Sequence, residues 1–254
     1  MEVYCKTEMI AEAKEILASI LKSEKSKTEL FIIRAILDTL RINIGDDEQA
    51  LKLINEHIKL DDFDITIFRI HFQILLDLQK FDVARKILEE NKWRLKSRTE
   101  NKFLAKIFEA EKNFPKAIEY YKLSQLTVDQ LSNNLQISYL LLCSNQDEAA
   151  KALLHADIQA NNSSGELATQ IVNYELARKR TGSKVDNNRL EKVLAADTSL
   201  RTKAAVSALK DHKKDAIEAI KEAIKKDRTF KYEVRSWPVF KELHQDEAFI
   251  QLIK

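Results

Sequence analysis

The hexapeptide Lys80-Phe81-Asp82-Val83-Ala84-Arg85 decides the fold of this chain, because variants of it recur along the sequence. Each copy has a loop of small or polar residues, then an acidic or amide residue, then an alanine within a stripe of apolar residues. The other copies lie at residues 45–51, 113–118, 144–150 and 212–217. Apolar spacing predicts helices on both sides of every copy, so we interpret the motif as the turn of a helical hairpin.

The spacing of the alanines defines a repeat. Ala50, Ala84, Ala117 and Ala149 are separated by 34, 33 and 32 residues, and Ala216 follows after 67 residues, which is two further steps. A fixed period near 34 residues is typical of an array of helical hairpins that stack on one another. The sequence therefore predicts an all-α array of antiparallel helix hairpins, with one degenerate unit between Ala149 and Ala216.

The composition supports an all-α fold. The 254 residues include only three Gly and two Pro, which β-turns and tight loops use more heavily and helices exclude. The chain is 32% charged and 44% hydrophobic, as expected for amphipathic helices with solvated outer faces. It is long enough to bury a sizeable core.

Charge and cysteine content narrow the class of function. Forty-two basic and 40 acidic residues nearly cancel, and no basic block indicates a nucleic-acid partner. Cys5 and Cys143 stand alone, which suits a reducing cytoplasm. The N-terminal residues do not resemble a signal peptide, and the apolar runs are too short for a membrane span. We therefore expect a cytoplasmic protein.

Apolar periodicity places the helices. It predicts a first helix over residues 7–22, and a short capping helix near the C-terminus. Between them we expect six hairpins: 28–43 with 46–60, 64–79 with 81–93, 98–112 with 114–126, 128–143 with 147–159, 166–179 with 188–195, and 199–210 with 214–226. The fifth hairpin lacks the alanine and follows the loop-like run 161–165. We interpret residues 1–160 as the main array, 161–196 as a degenerate repeat and 197–254 as the last repeat with its cap, all in one continuous solenoid.

These features resemble tetratricopeptide repeats (TPR). In that family a small residue at repeat position 20 lets the two helices approach closely, and position 24 is bulky and apolar. Here the alanines match the first position, and the second is matched by Ile54, Leu88, Tyr121 and Ile220. The aromatic residue at position 17 recurs as Phe81 and Phe114, and Gly45 stands at position 15. The small residue of position 8 is kept only as Ala105 and Ala204, and the proline of position 32 is absent.

The resemblance implies a right-handed superhelical solenoid that binds a partner in its concave groove. The groove-lining positions of the family's first helices correspond here to Arg69, Gln73, Lys102, Lys106 and Asn134, or to Leu135 in place of Asn134 if Ala150 rather than Ala149 sets the register. Residues 236–249 are similar to the capped ending of many bacterial arrays of this kind. A solenoid needs such a cap because its last apolar face has no neighbour.

No motif for catalysis or for a cofactor is visible. Thr181-Gly182-Ser183-Lys184 has a single glycine and indicates a helix end more than a phosphate loop. The five histidines have no metal-ligand spacing, and His71 fits a packed position better than a ligand position. Cys143 ends an apolar run, which indicates burial rather than reactivity. We therefore expect no enzyme activity, no metal and no cofactor.

The function expected from the sequence is a protein-interaction scaffold that holds a peptide or helical segment of a partner protein. An acidic segment is one candidate ligand, because the groove positions include Arg and Lys. One alternative is the regulatory arm of a larger signalling protein or enzyme whose catalytic or receiver domain lies elsewhere. A second is self-association, with a homodimer formed through the terminal helices. The exposed tryptophan candidates are Trp93, as a contact residue, and Trp237, as part of the cap.

Overall fold

The computed structural model describes residues 30–57, 64–124, 130–160 and 167–253, and within these ranges the chain is helical and contains no strand. The all-α prediction is confirmed for them, whereas the helix expected over residues 7–22 and the loop-like run 161–165 lie outside the described residues. The helices are α1 (Leu30–Asp38), α2 (Asp47–His57), α3 (Ile65–Asp77), α4 (Phe81–Asn91), α5 (Ser97–Ala110), α6 (Phe114–Leu123), α7 (Gln130–Cys143), α8 (Asp147–Ala160), α9 (Ala168–Arg180), α10 (Asn187–Ala196), α11 (Leu200–Leu209), α12 (Lys213–Lys226), α13 (Phe230–Ser236) and α14 (Glu247–Leu252). A π-helical turn (Thr39–Ile44) follows α1, and 3₁₀ helices occupy Lys92–Arg94 and Pro238–Gln245.

The turn inside each hairpin contains a residue in the left-handed conformation. These residues are Gly45, Gln79, Lys112, Asn145, Gly182 and Asp211. In the last five of these turns, the residue after the left-handed one donates its amide hydrogen to the carbonyl of the residue five positions before it. Lys80, for example, donates to Leu75 at 2.8 Å. This Schellman geometry ends the first helix and reverses the chain. Side chains other than glycine are strained there, so the turn is imposed by the packing of the two helices it joins.

A fully buried alanine follows the left-handed residue by five positions in five hairpins. The alanines are Ala50, Ala84, Ala117, Ala150 and Ala216, each with 0% of its surface exposed. Ala149, which we expected to hold this position, is exposed. The register of the fourth hairpin is therefore one residue later than predicted, and the steps between the first four alanines become 34, 33 and 33 residues. Bulky side chains four positions on, such as Leu88 and Leu154, are buried beside these contacts.

The fifth hairpin, α9–α10, departs from this rule. Its first helix ends in the same turn at Gly182, but α10 begins only at Asn187, so the link is three residues longer than in the other hairpins. Leu190 stands three residues into α10, where the other second helices have alanine, and it is fully buried. A leucine at this contact holds the two helices further apart than an alanine does.

The chain divides into two compact units. The first comprises Met1–Ala84 with Ile224–Phe230, and the second comprises Arg85–Ala223 with Lys231–Lys254. In the first unit, Arg41 bonds to Asp47 at 2.9 Å and to Asp77 at 2.6 Å, which ties the first hairpin to the second. In the same unit the amide of Arg228 donates to the Ile42 carbonyl at 2.7 Å, beside the turn at Gly45.

Leucine at position 150 or 149 tests the register. Ala150→Leu adds three carbons at a position without free space, and we expect it to lower the free energy of unfolding by about 1–3 kcal/mol. Ala149→Leu is the matched control on the exposed side of the same helix and should change it by less than about 0.5 kcal/mol. Urea unfolding followed by circular dichroism measures both. Equal effects of the two changes would contradict the register.

Two glycine turns test the contact with Arg228. Gly45→Ala and Gly182→Ala each force alanine into the left-handed region, at a cost of about 1 kcal/mol. A methyl group at position 45 also meets Cβ of Arg228 at 3.1 Å, whereas one at position 182 meets nothing within 4 Å. We expect Gly45→Ala to lower the melting temperature more than Gly182→Ala does. A larger loss for Gly182→Ala would show that Arg228 does not lie against this turn.

Candidate functional site

Helix α9 lies at the centre of the second unit and is buried on nearly all sides. It packs against α7, α8, α10 and α11 and against the 3₁₀ helix Pro238–Gln245. Its buried residues are Ala168, Gln170, Ile171, Val172, Asn173, Glu175, Leu176 and Ala177. The first helix of a simple hairpin array keeps one face in solvent, and here the C-terminal part of the chain covers that face.

The covering element is the C-terminal segment, residues 236–240. The indole N–H of Trp237 donates to Oδ1 of Asn173 at 2.8 Å, in a buried hydrogen bond. Arg180 donates to the carbonyl of Pro238 at 3.0 Å, and the hydroxyl of Tyr139 donates to the carbonyl of Ser236 at 3.3 Å. Side chains of α7 and α9 thus bind two main-chain carbonyls and one indole of this segment.

Aromatic packing adds to the contacts that hold this segment. The rings of Trp237 and Phe240 meet nearly at right angles, with centroids 5.4 Å apart, and both are buried. The Arg201 guanidinium of α11 lies 5.3 Å from the Trp237 ring and pairs with Glu233 at 2.9 Å. Cation–π contacts of this kind favour an electron-rich ring such as indole. The segment therefore contacts the first helices of three successive hairpins, α7, α9 and α11.

We refer to the surface formed by Tyr139 of α7, Asn173 and Arg180 of α9 and Arg201 of α11 as the segment-binding face. Trp237 is buried, so it is a packed residue and not an exposed contact residue. The C-terminal segment lies on α7 and α9 and not only on the last hairpin, which the sequence did not indicate. The alanine register could have identified Tyr139, because it precedes Ala150 by the same 11 residues that separate Lys106 from Ala117.

A buried carboxyl group joins the three helices that precede α8. Glu109 of α5 accepts hydrogen bonds from the hydroxyl of Tyr121 and from the amide of Gln136, both at 2.8 Å. Burial raises the pKa of Glu109, although these two donors and the charge of Lys106 act to lower it. Both hydrogen-bond donors belong to neighbouring helices, α6 and α7, so we assign Glu109 to the stability of the packed hairpins.

A second buried carboxylate holds the long link of the fifth hairpin. Glu175, with 0% of its side chain exposed, pairs with Arg178 at 2.9 Å and with Arg189 at 2.6 Å. It also accepts a hydrogen bond from the main-chain amide of Asp186 at 2.9 Å. A buried carboxylate is tolerated only with such partners. These bonds fix the link between Gly182 and α10 where the alanine contact is missing.

The predicted groove residues differ in their exposure to solvent and in their hydrogen bonds within the chain. Arg69 and Lys102 are exposed on α3 and α5, and Lys106 is half-buried near Glu109. Gln73 donates to Asp77 at 2.9 Å and so belongs to the Arg41 cluster of the first unit. Asn134 is buried and donates to Asp157 at 2.9 Å. It was chosen as a groove residue because the predicted register was one residue too early. Leu135, the alternative, is half-buried.

The Cys143 thiol and the His71 imidazole, which could take part in nucleophilic or acid–base chemistry, both have pKa values shifted by burial. Burial raises the pKa of the Cys143 thiol to about 11, which keeps it protonated at neutral pH. Burial lowers the pKa of His71 to about 4. Among residues 30–57, 64–124, 130–160 and 167–253, no three His, Cys, Asp or Glu side chains are grouped so that they could hold a metal ion. In the same ranges no helix is long and apolar enough to cross a membrane.

No protein-family model matches this sequence, and no curated protein is significantly similar to it.

The neutral His71 predicts a pH dependence of stability. A histidine whose pKa falls from 6.5 to about 4 on folding stabilises the fold fully above pH 6.5, and this contribution is lost as the pH falls toward 4. We expect the free energy of unfolding to drop by about 3 kcal/mol over that range through this group. His71→Leu should remove this part of the dependence in urea titrations at pH 7 and pH 4. An unchanged difference between the two pH values would show that folding does not lower the pKa of His71.

Proposed function

We propose that this chain is a protein-interaction module of the TPR type, which binds an acidic peptide segment of a partner protein. The observation that carries the proposal is the repeated hairpin, with its left-handed turn followed five residues later by a buried alanine. Such hairpins present their first helices side by side, and this arrangement suits binding of an extended or helical segment.

The binding surface that we propose is the basic start of α5, with the link that precedes it. Residues 92–106 contain six Lys or Arg and one Glu. Arg98, Lys102 and Lys106 recur every four residues, so they lie along one stripe of α5. Two of them are groove residues predicted from the sequence. A stripe of cations favours a partner rich in Asp and Glu, through charge-assisted hydrogen bonds.

Trp93 gives this basic surface an apolar contact. It stands in the 3₁₀ turn before α5, and 74% of it is exposed, more than of any other large apolar side chain in the described ranges. The Arg94 guanidinium lies 4.5 Å from its ring. Exposed tryptophan beside arginine is characteristic of residues that dominate binding energy at protein interfaces. We therefore expect the acidic partner segment to carry an apolar side chain as well.

A cytoplasmic location belongs to the same proposal. It is supported by the two widely separated cysteines, which do not form the pattern of a disulfide framework.

Charge reversal tests the basic surface. A stoichiometric partner should be recovered with the wild-type chain from a lysate of the source cells. Its affinity should fall at least about tenfold with Lys102→Glu/Lys106→Glu, because two attractive charges become repulsive, and it should also weaken as salt increases. Surface plasmon resonance with the identified partner measures both effects.

The matched control is Lys213→Glu/Lys214→Glu, which changes the net charge equally at exposed positions of α12. It should bind the partner as the wild type does. A partner that both double variants retain equally would contradict the assignment of α5.

A further inference from the structure

The contacts of the C-terminal segment are those of a bound peptide. Residues of α7 and α9 donate to its main-chain carbonyls at Ser236 and Pro238, and Asn173 accepts the indole N–H of Trp237. Peptide-binding surfaces use the same division, in which polar side chains hold the backbone and one pocket selects an anchor side chain. Tyr139 and Ser236 are 97 residues apart in the chain, so the contact is not a local helix cap.

One residue of the segment, Trp237, has an extended backbone, between the end of α13 at Ser236 and the 3₁₀ helix that begins at Pro238. Trp237 has φ −69° and ψ 119°, an extended conformation that the following proline enforces by excluding the helical region. Pro238 also has no amide hydrogen that would need a partner in the buried seat. The Trp-Pro pair therefore reaches the segment-binding face with little loss of backbone freedom.

The edge of the seat is open to solvent. Arg235 and Ser236 are exposed immediately before Trp237, and nearly half of the Arg201 side chain is exposed above the indole. The centre of the segment-binding face is closed to solvent, since Asn173 is 1% exposed and Trp237 is 6% exposed. A buried amide that accepts one indole N–H discriminates strongly against side chains that lack a donor.

We propose that the segment-binding face is a peptide-binding site for a tryptophan followed by proline, and that the chain's own C-terminal segment occupies it in the free protein. A partner segment of the same chemistry binds there by displacing residues 236–240. The residues of this site differ from those of the basic surface of α5, and the inference goes beyond the proposed function by naming a second partner chemistry.

The C-terminal segment occupies the segment-binding face in the free protein because it is tethered close to it. A segment joined to its site through α13 is present at an effective concentration of about millimolar, far above that of a free peptide. A peptide that binds the vacant site with a Kd of about 10–100 µM is then weakened about 10- to 100-fold by the tethered competitor. Removal of the tethered anchor restores the intrinsic affinity.

Binding of a labelled peptide tests this. The probe is a fluorescein-labelled peptide of residues 234–243, added to the full chain and followed by fluorescence anisotropy. Trp237→Ala should bind it about 10- to 100-fold more tightly than the wild type does. Adding Asn173→Leu to Trp237→Ala should return the affinity to the wild-type level or below, because the acceptor for the indole is lost.

The second tryptophan supplies the control. Trp93→Ala removes the same side chain from an exposed position and should leave peptide affinity unchanged. Lys102→Glu/Lys106→Glu should also leave it unchanged, so failure of this inference is distinguishable from failure of the proposed function. If Trp237→Ala keeps its helical circular dichroism and binds the peptide no better than the wild type, the segment is a fixed part of the core and the inference is wrong.

Hydrogen exchange of the unaltered protein tests the same point without a destabilising change. A segment that can be displaced dissociates from the segment-binding face while the rest of the unit stays folded. The amide hydrogens of residues 237–250 should therefore exchange at least about tenfold faster than those in the middle of α7 and α9. Exchange of the two regions at the same rate would show that the segment leaves only when the whole unit unfolds. That result would overturn the inference even if Trp237→Ala did not fold.

Discussion

The close contact between two paired helices, made through one buried alanine in five of the six described hairpins, is the constraint on which the other features depend. The left-handed turn places that alanine five residues later, and the helices can then pack with large side chains around it. Because Gln79, Lys112, Asn145 and Asp211 adopt a conformation that favours glycine, packing must outweigh local strain at four turns. The turn and the alanine thus stabilise each other.

The fifth hairpin shows what happens when this contact is lost. Leu190 replaces the alanine, the link lengthens, and a buried carboxylate, Glu175, takes over the task of fixing the link. Its first helix is also the one that the C-terminal segment covers. The irregular hairpin therefore coincides with the seat of Trp237, and a departure from a repeat pattern is a reasonable place to seek function.

The sequence predicted the hairpins well because alanine, helix breaks and apolar periodicity are local signals. It misplaced the fourth register, since Ala149 and Ala150 are adjacent and only burial distinguishes them. That single residue moved the predicted site from Leu135 to Asn134 and hid Tyr139. Gln73 could not be recognised as an internal partner of Asp77, because hydrogen bonding between side chains depends on geometry that spacing alone does not specify.

By itself the sequence determined the helical class, the hairpin period and the basic stripe on α5, because each follows from residue type at short separation. Only the tertiary structure decided which alanine is buried, which polar side chains are already bonded and where the C-terminal segment lies. The bond between Trp237 and Asn173 joins residues 64 positions apart. Such a contact has no local signature, because it depends on how several hairpins stack before the chain returns to meet them.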